Sequence, residues 1–296
     1  TAATSIDTTD GGSDADGADV TATSVTGAGN TLSVQAGTGG SLAVSGLTDN
    51  VSTLTIAGGA GATFADVGTS TSGAIAVTGA EDGAVLSFTG DLDATALTTV
   101  GSNYSLELLG GSVRVDGTTE FLNQGTVTLG DEETDVLQFT GGIETTGNAS
   151  NPSSVLVAGT IFAPGSSIVL GSVTLTADAV LDAGSTSASR VTVGTVSTDG
   201  NEIRFDSGGS APADIVVSSI VGGGDVRVVD SGGFAVSSTV DAGAIILSDT
   251  ADGELIEFAG TVDAAGLTTT AAGYALSFIG DATDRKSTRL NSSHYS

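Results

Sequence analysis

GAIAVTGAEDGAVLSFTGDLDATALTTVGSNYSLELLGGS, residues 73–112, aligns without a gap onto GAIILSDTADGELIEFAGTVDAAGLTTTAAGYALSFIGDA, residues 243–282. Of the 40 pairs 15 are identical, including Asp82/Asp252, Gly83/Gly253, Phe88/Phe258, Gly90/Gly260, Asp93/Asp263, the LTT triplets and Tyr104/Tyr274. A third copy, GTVTLGDEETDVLQFTGG at 125–142, follows after one deletion. The strands VLSF, VLQF and LIEF put Leu86, Leu137 or Ile256 on the same side of the pleat as Phe88, Phe139 or Phe258. Between them stands Ser87, Gln138 or Glu257, a variation that fits a solvent-facing position. Tyr104-x-Leu106-x-Leu108 and Tyr274-x-Leu276-x-Phe278 keep the same period. The recurring Phe and Tyr read as a ladder stacked in the core, in preference to an aromatic platform for a sugar.

The same alternation runs through TLSVQA (31–36), SLAVSG (41–46), TLTIAG (53–58), SIVLGSVTLTA (167–177) and DVRVVD (225–230). No stretch has helical periodicity. Gly, Asp, Asn and Ser punctuate the strands roughly every ten residues, as short strands with tight turns require. Each repeat carries too little apolar area to fold alone, and stacking buries one thin core along an axis. The expected fold is all-β: a right-handed parallel β-helix, or solenoid, over residues 25–283. With about 20 residues per coil and about 4.8 Å per stacked strand, the rod would be about 70 Å long. The alternative is a tandem array of β-sandwich domains, which usually supply larger core aromatics and units nearer 100 residues.

Composition agrees. Aromatics are 4% of the 296 residues and Trp is absent, so the apolar content is mostly Ala, Val, Leu and Ile. Such small and β-branched residues suit thin layers of strands. The formal net charge is −28, a field that repels DNA, RNA and anionic lipid and argues against nucleic-acid partners. No apolar run approaches the roughly 18 residues of a membrane helix. With no Cys there is neither a disulfide framework nor a thiolate metal site.

Residues 284–296 differ from everything before them. Arg285, Lys286 and Arg289 are three of the seven basic residues, and His294 is the one His. Asp284–His294, DRKSTRLNSSH, resembles the in-frame translation of a common sequencing-library adapter, the alternative being a natural basic tail. On the adapter reading the chain is a fragment and its parent continues. Residues 1–24 form an acidic segment, read as a flexible or incomplete first coil.

The G-x-[IV]-x-[LV] strands, the F-[TA]-G step, the D-A-x-x-LTT segment and LTADAVLDAG at 175–184 resemble the strand-repeat regions of very large bacterial exoproteins. Filamentous-haemagglutinin-like adhesins and autotransporter passenger domains are of this kind. The resemblance spans roughly residues 25–283. It implies a right-handed parallel β-helix, export across the envelope, an extracellular or bacterial cell-surface location, and adhesion or surface structure. Surface glycans or proteins of host or neighbouring cells are the partners it implies.

Before the tail the chain has no His, Lys, Cys, Met or Trp. That removes Ser-His-Asp and Cys-His nucleophiles, Schiff-base lysines and His/Cys zinc sites. Paired carboxylates remain, with Asp131, Glu132, Glu133 and Asp135 or Glu254 and Glu257 as candidates. A solvated turn and an exposed strand face explain them better, so no catalytic residue is expected. Asp7, Asp10, Asp14, Asp16 and Asp19 in DTTDGGSDADGAD are a possible calcium site, though they lack the full calcium-loop pattern. The expected function is a non-enzymatic structural or adhesive stalk. The alternatives are a carbohydrate-binding or carbohydrate-cleaving β-helix and a component of a surface array.

Overall fold

A computed structural model describes residues 3–68, 73–186, 189–208, 214–270 and 273–284. The tail from Arg285 onward lies outside the described residues. Every strand pairing is parallel, and the strands stack as a β-solenoid of about 11 turns, as a right-handed parallel β-helix does. Tandem sandwiches would need antiparallel pairs.

Three ladders form the sides. Face 1 stacks 31–35, 53–58, Ala74–Val77 and Ala96–Thr98, and later Ser167–Leu170, Gly233–Val236, Leu255–Phe258 and Ala275–Phe278. Face 2 holds Ser41–Val44, Gly61–Phe64, Val85–Phe88, Ser105–Leu108 and Thr126–Leu129, and ends at Ala282–Asp284. Face 3 holds Leu92–Ala94, Ser112–Val115, Val136–Phe139, Ile203–Asp206 and Val226–Asp230, and ends at 266–269. The ladder of face 1 is interrupted after Thr98, where the Thr99 hydroxyl donates to the Glu120 carbonyl (3.0 Å) and accepts from the Leu122 N–H (2.7 Å).

Turn length varies. Val155 stacks on Val173, 18 residues on, whereas Val127 stacks on Val155, 28 residues on, because the latter turn carries the loop 145–153. Most turns exceed the 20 residues expected, so about 11 turns at about 4.8 Å give a rod of about 50 Å.

Inward side chains alternate with outward ones. Leu86, Leu137, Ile256, Phe88, Phe139 and Phe258 are all buried, at 0–1% exposure. The residue between them points out, but small Ser87 is only 8% exposed, shielded in its column between Thr63 and Glu107. Gln138 and Glu257 are half-buried.

The repeats are not stacked on one another. Phe88 lies on face 2, Phe139 on face 3 and Phe258 on face 1. The expected ladder of equivalent aromatics is therefore replaced by local stacks. Phe88 stacks on Phe64, and Phe258 on Phe278, both with centroids 5.2 Å apart and planes 11° apart. Links between strands are shared by both copies: seven residues (78–84 and 248–254), then three (89–91 and 259–261); residue 95 then separates two strands, and its counterpart 265 is skipped by the register inside Val262–Thr269. Corner glycines also match. Gly83 and Gly253 adopt φ of +83° and +86° with nothing near a built Cβ, so the left-handed backbone is what selects glycine.

Candidate functional site

Most acidic side chains with resolved partners hold corners. An Asp at the end of one turn accepts the N–H that opens a strand of the next turn. The Asp19 carboxylate accepts from Ser41 N (2.9 Å), Asp66 from Asp91 N (3.0 Å), Asp91 from Ser112 N (3.0 Å), Asp178 from Glu202 N (2.8 Å) and Asp225 from Ala244 N (2.7 Å). Asp82 and Asp252 do the same for Asn103 and Gly273 at 3.3 and 3.1 Å. A carboxylate here supplies an acceptor to an N–H that the ladder cannot reach. Of these, Asp66, Asp91, Asp178 and Asp225 were not singled out by the sequence. Their signal is faint: an Asp a few residues before a strand, one turn early.

A second corner device is D-x-G. The Asp182 carboxylate accepts from Gly184 N (2.7 Å) and that of Asp206 from Gly208 N (3.1 Å), one turn on. Asp182, Asp206 and Asp230 stand in one column of face 3. Burial raises the Asp206 carboxyl above the usual carboxylate range; the Gly208 N–H opposes this and the charge of Asp182 adds to it.

The possible calcium residues lie in and beside the first turn. Asp7 accepts from the hydroxyl and then the backbone N–H of Thr9 (2.5 and 2.8 Å), which in that order hold its carboxyl below the usual range. The Asp14 carboxylate accepts from Asp16 N (3.2 Å), and that of Asp16 from the Thr38 hydroxyl (3.3 Å). Asp19 is tied to Ser41, whose N–H and then hydroxyl lower its carboxyl. Asp10 sits at φ 51°. Among the described residues no three acidic or His side chains converge on a point where a metal ion could sit.

The paired-carboxylate candidates separate. Asp135 is 4% exposed and accepts from the N–H groups of Asp131 and Glu132 (3.0 and 3.1 Å), closing its own turn. Burial, then the charge of Asp135, raises the Asp131 carboxyl. Glu132 and Glu133 are exposed on the same turn. Glu257 points outward on face 1 between Ala235 and Ser277, and Glu254 belongs to the preceding corner.

Positive charge gathers on face 3. Arg114 contacts Asp116 (2.7 Å) and Asp93 (3.7 Å); Arg227 contacts Glu202 (3.3 Å), which Arg204 also approaches (3.9 Å). Arg204 and Arg227 are neighbours in the ladder, so Glu202 screens two like charges stacked one turn apart. Near the third turn, Thr48 and Asp93 line a small recess; the Thr48 hydroxyl and one Asp93 oxygen are buried there without a hydrogen-bond partner.

The remaining distinctive surface is apolar. Val85, Val136 and Leu255, the first residues of VLSF, VLQF and LIEF, are 42%, 44% and 42% exposed. No helix of the described residues is long and apolar enough to cross a membrane. No protein-family model, curated protein or solved structure matches this chain.

Proposed function

We propose that the chain is a length of shaft from a long bacterial protein that is secreted or displayed on the cell surface, serving as a structural and adhesive stalk without enzymatic activity. The observation that supports this reading is the solenoid of parallel turns, along which the carboxylates that could have made a catalytic pair separate: Asp135 closes its own turn by accepting from the Asp131 and Glu132 N–H groups, and Glu257 points outward on face 1. A rod of stacked turns transmits load through parallel ladders and spaces whatever it carries from the surface that bears it. Its acidic exterior keeps rods apart from one another and from anionic lipid. The resemblance to strand-repeat exoproteins supports the same location and role.

The test couples shape to activity. Small-angle scattering on residues 25–283 should give a rod-like profile, and beads coated with the protein should be retained on cells or surface glycans under flow. Release of reducing sugars or unsaturated products from a polysaccharide panel would replace the stalk by a carbohydrate-active β-helix. Rods that neither adhere nor cleave would remove the adhesive half of the reading.

A further inference from the structure

Each repeat carries the same small surface feature. An acidic turn is followed by an exposed aliphatic residue: Glu81 and Asp82 before Val85, Asp131 to Glu133 before Val136, Asp252 and Glu254 before Leu255. The neighbours in adjacent turns are small, so the aliphatic side chain stands clear of the sheet. Val85 lies between Gly61 and Ser105, and Val136 between Ser112 and Thr160. Leu255 has Ala275 on one side and Gly233 against its carbonyl on the other. Because the copies occupy faces 2, 3 and 1, the three features point in three directions around the rod. An exposed Val or Leu at the start of a strand would be unremarked once, since β-branched residues favour strands. It recurs here with nearly equal exposure where Ser or Thr would serve the strand as well.

We propose that these three features are equivalent docking points for a cationic, amphipathic protein segment, with basic side chains on the acidic turn and an apolar side chain against Val85, Val136 or Leu255. Charge complementarity selects this occupant, because each aliphatic residue is flanked by carboxylates and by no basic residue of its own turn. The inference rests on the adhesive reading for its use, since it names the class of partner that reading leaves open. Radial placement lets the rod engage such a partner from any side, and engaging more than one point raises avidity without new contacts.

The experiment is calorimetric titration of the full chain with a short Lys-Leu alternating peptide and, separately, with oligolysine of equal charge. The amphipathic peptide should bind about tenfold tighter, near 1.4 kcal/mol, with a stoichiometry near three. The combined V85S, V136S and L255S variant should lose that advantage and keep oligolysine binding. V216S, which removes a similarly exposed valine (43%) that follows Asp214 on its strand but no turn of several carboxylates, should change nothing. Should the triple variant melt early, each single variant should instead lower the stoichiometry by one. Equal affinity for the two peptides, or an advantage that survives the triple substitution, would overturn the proposal and leave only the general attraction of an acidic rod. Neither result depends on whether coated beads adhere to cells.

Discussion

Residues 73–112 and 243–282 are copies of one repeat, identical at 15 of 40 positions, placed on different sides of the rod. Val85–Phe88 lies on face 2 and its counterpart Leu255–Phe258 on face 1. Both keep inward aliphatic and Phe side chains at matching positions and the same corner glycine at positive φ, and each Phe stacks on a second ring, Phe88 on Phe64 of the preceding turn and Phe258 on Phe278 of the following one. What the repeat specifies is therefore a run of strands and corners nearly two turns long, and the three sides of this solenoid are similar enough to carry that run in either rotation. A fold with one specialised face could not tolerate that rotation. The equivalence fails at one end. Tyr104 is fully buried and accepts the Val100 N–H at 3.2 Å, whereas Tyr274, in the last described turn, is half-buried with its hydroxyl unpaired.

The largest expected effect tests that equivalence in the core. Phe88→Ala and Phe258→Ala should each cost about 3–5 kcal/mol, read as a shift in guanidinium midpoint at constant slope. A loss below about 1 kcal/mol at Phe258 alone would mean that face 1 packs loosely there and that the copies share a pattern without sharing a core. Tyr104→Ala against Tyr274→Ala sharpens the point, with a clearly smaller loss expected at Tyr274 because part of its ring is already in water.

The next effect concerns the corners. Gly83→Ala and Gly253→Ala meet no atom, so their cost is that of a left-handed L-residue, about 1–2 kcal/mol and the same in both copies. Thermal melting of the two variants checks this. A difference between them would show that one corner can relax its φ and the other cannot.

These comparisons also show what was legible in the sequence. Side-chain alternation is local, so Leu86, Phe88 and their counterparts could be placed inside from the strand alone, and stacking followed from their repetition. Which face a strand occupies is a sum over every turn before it. The loop 145–153 makes one turn 28 residues long where another needs 18, and no local signal reports that running total. Ser87 was legible as outward but not as shielded, because Thr63 and Glu107 reach it from other turns. The Asp corner bonds were hidden for the same reason: the Asp178 carboxylate serves Glu202, 24 residues away. The three exposed aliphatic residues were visible in the alignment, but their significance depended on small neighbours contributed by adjacent turns.

A smaller effect separates the corner carboxylates from mere surface charge. Asp82→Ala and Asp252→Ala should each cost about 0.5–1 kcal/mol, the worth of one exposed hydrogen bond. The Asn103 and Gly273 amides should exchange with deuterium faster, while the Asn variants, which keep an oxygen acceptor, stay near wild type. Unchanged exchange at both amides would mean that these bonds add nothing to the next turn.

The smallest effect belongs to the third copy, the one with an enlarged acidic turn. Burial and the nearby Asp135 raise the Asp131 carboxyl, so folding disfavours its charged form. The group's contribution is at its best in acid, below the unfolded carboxylate range, and is lost as pH rises through the raised folded value. Asp131→Asn should therefore stabilise the rod at neutral pH, by only about 0.3 kcal/mol because the side chain is largely solvated. That gain should shrink to nothing as pH falls into the ordinary carboxylate range. Melting curves of Asp131→Asn and wild type across pH decide it: a gain that persists in acid would assign the effect to side-chain packing, and no gain at any pH would mean that water screens the Asp131–Asp135 repulsion completely.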